Sequence, residues 1–176
     1  MLWTVLTVAI LAADPAPAVA EDRCAAWALN GYRLGMSMDE AGAIRPLKKT
    51  MKAGWDVPQG WTLHFARTPD FLGYLAFDEH GRLGKYMTQP RKANPAEVRL
   101  ALEQRMGDPG QMNEQAGVTT RGFSRGVRPI RETLWTSAEC DALVSFAVMR
   151  IVGIEHVEVM LRRLGDVQGA GDKALQ

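Results

Sequence analysis

The chain has little of what most chemistry-bearing motifs are built from. Of its 176 residues only three are histidine and two are cysteine. His64, His80 and His156 stand far apart, and no His-x-x-x-His, Cys-x-x-Cys or mixed Cys/His cluster occurs. Zinc sites draw on such close spacing, so no metal is expected. There is no Gly-x-Ser-x-Gly elbow, no P-loop and no Gly-x-Gly-x-x-Gly run. The common signatures of hydrolase nucleophiles and of nucleotide cofactors are therefore missing, and no cofactor is expected. The adjacent acids Asp39-Glu40 and Asp78-Glu79 lack further oxygen ligands at calcium-loop spacing. A formal net charge of +1 gives no bulk attraction to a polyanion, so no nucleic-acid partner is expected.

Long apolar runs are also scarce. The first, residues 2–13, is twelve residues long and is broken by Asp14, Pro15 and Pro17. Ala18-Val19-Ala20 follows, and then Glu21-Asp22. A short apolar core before a small-x-small site is the pattern of a secretory signal peptide, here residues 1–20. A spanning helix needs about 20 apolar residues, which makes an uncleaved anchor the weaker alternative. No Lys or Arg precedes the run, which departs from the usual basic start. Cys24 follows Glu21-Asp22-Arg23 rather than small residues, so it does not read as a lipidated cysteine. The expectation is a periplasmic or secreted protein with no transmembrane segment after cleavage. Loss of residues 1–20 removes only Asp14 from the charge count and leaves the mature chain at +2.

Cys24 and Cys140 both fall in the mature part. In an oxidising compartment an even count favours pairing, and two cysteines allow one connectivity, Cys24–Cys140. The alternative is two separate buried thiols. A bridge would also remove Cys140 as a nucleophile.

The remaining pattern predicts an α+β fold of a single domain over residues 21–164, followed by a flexible tail at 165–176. Ser37 and Glu40 stand at capping-box spacing before a helix over 38–45. Trp61, Leu63 and Phe65 alternate with polar or small residues, and turns at 68–70 and 78–81 separate three strands at 61–67, 71–78 and 82–88. Asn94, Pro95 and Glu97 open a second helix, 95–106, whose Val98, Leu102 and Met106 share one face. Gly107 and Pro109 end it. Further strands are expected at 133–137, 140–148 and 156–164. The order predicts two capped helices packed on antiparallel meander strands, with residues 32–89 and 94–164 as sub-modules of a duplicated helix–three-strand unit.

Gly35-Met36-Ser37-Met38-Asp39-Glu40 resembles the opening of units in small envelope domains. These are the BamE (SmpA/OmlA) family and the tandem β-lactamase-inhibitor-like proteins, whose units often start with a Gly-Met-Ser-like turn into a helix. Met106-Gly107-Asp108-Pro109 is similar to the Leu-Gly-x-Pro-like stop that closes that helix. Neither half carries both motifs, and the lipobox of BamE is missing. The resemblance implies a compartment and a helix-plus-sheet plan, and it transfers no functional residue.

One local charge anomaly stands out. Arg121, Arg125, Arg128 and Arg131 surround Phe123, with no acid from 117 to 131. Such a loop suits phosphate or carboxylate groups of lipids, glycans or an acidic protein; the alternative is a solvated loop. The functional expectation is a non-enzymatic interaction or accessory domain that contacts an envelope component by protein–protein interaction or at an anionic surface. The alternative is an enzyme whose site is assembled from scattered residues.

Overall fold

A computed structural model describes residues 24–50, 57–109, 111–113, 129–151 and 154–165. Among these residues eight strands form one antiparallel sheet. They are β1 (Lys48–Lys49), β2 (Thr62–Arg67), β3 (Phe71–Phe77), β4 (Leu83–Pro90), β5 (Gln111–Asn113), β6 (Pro129–Ser137), β7 (Ala142–Ile151) and β8 (Ile154–Arg163). The order across the sheet is β1-β2-β3-β4-β8-β7-β6-β5. Among the described residues the helices are α1 (Met38–Ile44), α2 (Pro95–Met106) and a single 3-10 turn at Ala25–Trp27.

This overturns the balanced α+β expectation. The helices have 7 and 12 residues and bury one side chain each, Ala41 and Leu102. The sheet carries the core. Nor does each half hold three strands on its own: each contributes a helix and four strands, and β4 pairs with β8 to join them in one sheet. Burial explains why. Tyr86 faces Leu161, and Met87 faces Met160, in the β4–β8 register, and all four are buried. Separate sub-modules would expose both faces of that seam to water, and apolar burial is the main favourable term in folding.

The local signals that position the helices hold. The Ser37 hydroxyl accepts from the Glu40 amide at 3.2 Å, and the Ser37 amide donates back to the Glu40 carboxylate at 2.7 Å. The Ser37 amide, with help from the Ser37 hydroxyl, holds the Glu40 carboxyl below its usual range. The Asn94 side chain accepts from the Ala96 amide, and Gly107 ends α2 at φ 81°. Trp135 ties the sheet to that end by donating its indole N–H to the Gly107 carbonyl at 3.0 Å. No helix among the described residues is long and apolar enough to cross a membrane.

The two faces of the sheet differ. One face packs on the helices and on the lead-in before them, around Leu75, Phe77, Tyr86, Trp135, Val144 and Leu161. The lead-in is core, not a loose arm. Leu29 and Tyr32 are buried, and Asn30 (φ 52°) with Gly31 (φ 85°) makes the tight turn that pairs them. Asn-Gly suits such a turn because both positions need positive φ. The opposite face carries a smaller apolar cluster around Leu63, Tyr74, Ala76, Met87 and Met160.

Cys24 and Cys140 form a disulfide with Cα atoms 5.6 Å apart. Cys140 lies in the turn between β6 and β7, just outside the strand in which the sequence pattern places it. The proposed signal peptide and the distal tail from 166 onward lie outside the described residues.

Candidate functional site

Strand alternation sends every second side chain to the smaller-cluster face, and the register lines those side chains into rows. One row runs Arg67 on β2, Leu72 on β3 and Gln89 on β4, with Glu158 beside Gln89 on β8. At this end of the sheet β2 and β4 finish and β3 and β8 begin. The row opens into two adjoining hollows. One, of about 280 Å³, is walled by Phe65, Tyr74 and Arg67. The other, of about 480 Å³, is walled by Pro90, Lys92, Ile154 and His156. Leu72 and Arg91 line both, so the hollows form one groove across four strands.

The groove is amphipathic. Arg67, Arg91 and Lys92 are exposed on its rim, and among the described residues no carboxylate pairs with any of the three. Among the described residues Glu155 is the one acid in its wall. Phe65 and Leu72 are half-buried in its floor, while Ile154 at the β7–β8 turn is 64% exposed. Lys92 has φ 55°, a left-handed conformation that costs a side-chain-bearing residue about 1–2 kcal/mol. The connector that starts with Arg91 is pinned where it leaves the sheet, because the Arg91 amide donates to the Asp70 carbonyl at 2.7 Å.

Behind the groove lies a set of buried charges. Lys85, Glu132, Glu158 and Arg162 all point to this face, and each is less than a tenth exposed. The Gln89 amide donates to the Glu158 carboxylate at 3.3 Å, linking the groove floor to this set. Burial pushes the Glu158 carboxyl up to about 7; the Gln89 hydrogen bond and the Lys85 charge oppose the rise, and the Glu132 charge adds to it. A buried carboxyl shifted in this way marks a candidate functional position, because its charge changes near neutral pH.

The described residues do not bring the sequence-predicted site residues to this groove: of the four arginines only Arg131 is described. Arg121, Arg125 and Arg128 lie outside the described residues, and Arg131 sits in β6 opposite Val148. The cations the structure assembles come from positions 67, 91 and 92, which look like isolated surface charges along the chain. Only the pairing of β2, β3, β4 and β8 brings their neighbourhoods together. His64, far from the other histidines, packs edge-on against Phe77 on the helix-covered face. Burial, with the Lys49 charge beside it, holds its pKa below the ordinary value. Among the described residues no group of His, Cys, Asp and Glu is placed to hold a metal.

A third hollow, of about 350 Å³, lies beside the disulfide, with Arg33, Arg82 and Glu40 in its wall. Its charges are partly spent. Glu40 caps α1, and Arg82 reaches the Gly35 carbonyl.

No family model matches the chain, and neither a curated protein nor a solved structure matches it. The likeness to the BamE group rests on the sequence motifs alone.

Proposed function

We propose that this chain is an exported, non-enzymatic interaction or accessory domain that engages a component of the cell envelope through the groove on its smaller-cluster face. The observation that carries the reading is the groove's composition: three rim cations with no carboxylate partner among the described residues, over a half-buried apolar floor. Binding surfaces combine apolar anchors with a polar rim, and the groove offers both. The Cys24–Cys140 bridge supports a periplasmic or secreted location, since disulfides persist in oxidising compartments.

An enzyme remains the second reading, on one observation. Glu132 and Glu158 point to the same face, and the Glu158 carboxyl is poised near neutrality. Acid–base catalysis uses groups tuned in this way. The four-percent exposure of Glu158 weighs against direct contact with a substrate.

The test is affinity capture from an envelope fraction with the wild type and with Arg67→Glu/Arg91→Glu. The expected result is a partner retained by the wild type and lost by the variant at unchanged far-UV circular dichroism. Identical capture by both proteins overturns the reading.

A further inference from the structure

We infer that the groove receives an extended acidic peptide segment, a stretch of chain carrying two or more carboxylates interleaved with apolar side chains. The inference rests on the interaction reading above and names its partner class.

Shape comes first. The groove crosses β2, β3, β4 and β8, and four strands at about 4.8 Å spacing put about 14 Å between the outer two. That is the length of about four extended residues at about 3.4 Å each. A helix would need a trough about 10 Å wide for its body and side chains. Hollows of about 280 and 480 Å³ suit individual side chains better than a helix laid lengthwise.

Charge comes second. Arg67 stands at the β2 end, Arg91 stands where the two hollows meet, and Lys92 stands on the rim of the larger one. Against them the described wall offers one acid, Glu155. Among the described residues the rim therefore carries more positive than negative charge, in a molecule whose formal charge is only +1. Guanidinium groups match carboxylates in a planar, two-bond geometry, so the arginines suit Asp and Glu side chains. Leu72 stands next to Arg67 in the row toward β4, and Phe65 lies beside them on β2, so an occupant that meets the cations must also bring apolar groups to this floor. An extended peptide does this because its side chains alternate in direction.

A flat anionic bilayer is a poorer match. A concave groove holds its apolar floor away from a planar surface, and membrane-surface elements present their apolar side outward. The Lys92 backbone adds an independent sign. A left-handed lysine is less stable than glycine there, so the side chain is kept at a local conformational cost.

The experiment selects octapeptides from a random display library on immobilised wild-type protein, with counter-selection on Arg67→Glu/Arg91→Glu. Enriched peptides should carry at least two acids alternating with apolar residues. Synthetic copies should bind in solution with an affinity that falls about tenfold in the double variant and about tenfold between low and moderate salt. Lys92→Gly relaxes the connector instead of straining it, so this variant should fold at least as well as the wild type and still bind more weakly. Enrichment of basic or uncharged peptides, or no enrichment, overturns the acidic-peptide inference. If in that case vesicles rich in phosphatidylglycerol bind the wild type and not the double variant, the interaction reading stands with a lipid partner. If neither probe responds to the two arginines and envelope capture is unchanged too, both readings fall.

Discussion

Glu158 shows how a single residue reports on its surroundings. Its carboxyl sits beside Gln89 on β4, with Lys85 on β4 and Glu132 on β6 as the charged neighbours that act on it, and burial outweighs them. The folded-state pKa is about 7 against an ordinary 4.5. Between those values the folded chain holds a proton that the unfolded chain has released. Stability from this group is therefore fully present below about pH 4.5 and is lost as pH rises through about 7, by roughly 3 kcal/mol in all. His64 acts in the opposite sense. Its pKa is depressed, so its contribution is present above the ordinary histidine value and declines as pH falls below it. We predict that Glu158→Gln is more stable than the wild type at pH 8 and gains little at pH 4.5. Urea midpoints of the two proteins across that range isolate the glutamate, because His64 is common to both. A difference between the two proteins that does not change with pH would refute the assignment.

At the scale of elements, legibility followed sequence distance. The capping box at Ser37–Glu40, the Asn94–Pro95 helix start and the Gly107 stop involve residues within a few positions, and all three form as their spacing predicts. Six of the eight strands could be located from sequence, five by alternation or turn signals and β7 by a nearly continuous apolar run that a buried helix would also show. The other two could not: β1 is Lys48–Lys49 and β5 is three residues long, too short to show a period. The β4–β8 pairing joins residues more than 70 positions apart, and nothing local encodes it. The sheet therefore replaced the expected helix-on-meander packing, and the groove was illegible for the same reason. A run of arginines at 121–131 is visible in a string of letters, whereas Arg67 and Arg91 meet only through strand register. One glycine illustrates how an element's shape depends on distant contacts. Gly84 is the extra residue where the β3–β4 register shifts, and a side chain there would run into the Trp61 ring. We predict that Gly84→Ala displaces Trp61, costs about 1–3 kcal/mol by overpacking, and shifts tryptophan emission to longer wavelength. Unchanged emission and stability would show that Trp61 does not rest on this bulge.

At the scale of the whole molecule, the disulfide closes most of the described chain into one loop and leaves β7 and β8 beyond it. Cys24 and Cys140 are 116 positions apart. For a loop of that length the chain-entropy model gives about 5 kcal/mol, and measured bridges more often contribute about 2–4. The lower part of that range is expected here, because the lead-in has other anchors. Leu29 and Tyr32 are buried, the Gly35 amide donates to the Leu83 carbonyl, and the Leu83 amide donates to the Met36 carbonyl. Those contacts hold the folded state without help from the bridge, so the bridge acts chiefly on the unfolded chain. Two consequences follow from that division. Cys24→Ser/Cys140→Ser should fold to the same far-UV spectrum and lose about 2–4 kcal/mol. Its denaturant slope should also rise, since an unbridged unfolded chain exposes more surface. The wild type, denatured without reductant, should show no reactive thiol. Free thiols in that assay would remove the bridge. A double variant that fails to fold would show instead that the lead-in contacts cannot hold the helix-covered face together, and that the bridge belongs to the native framework.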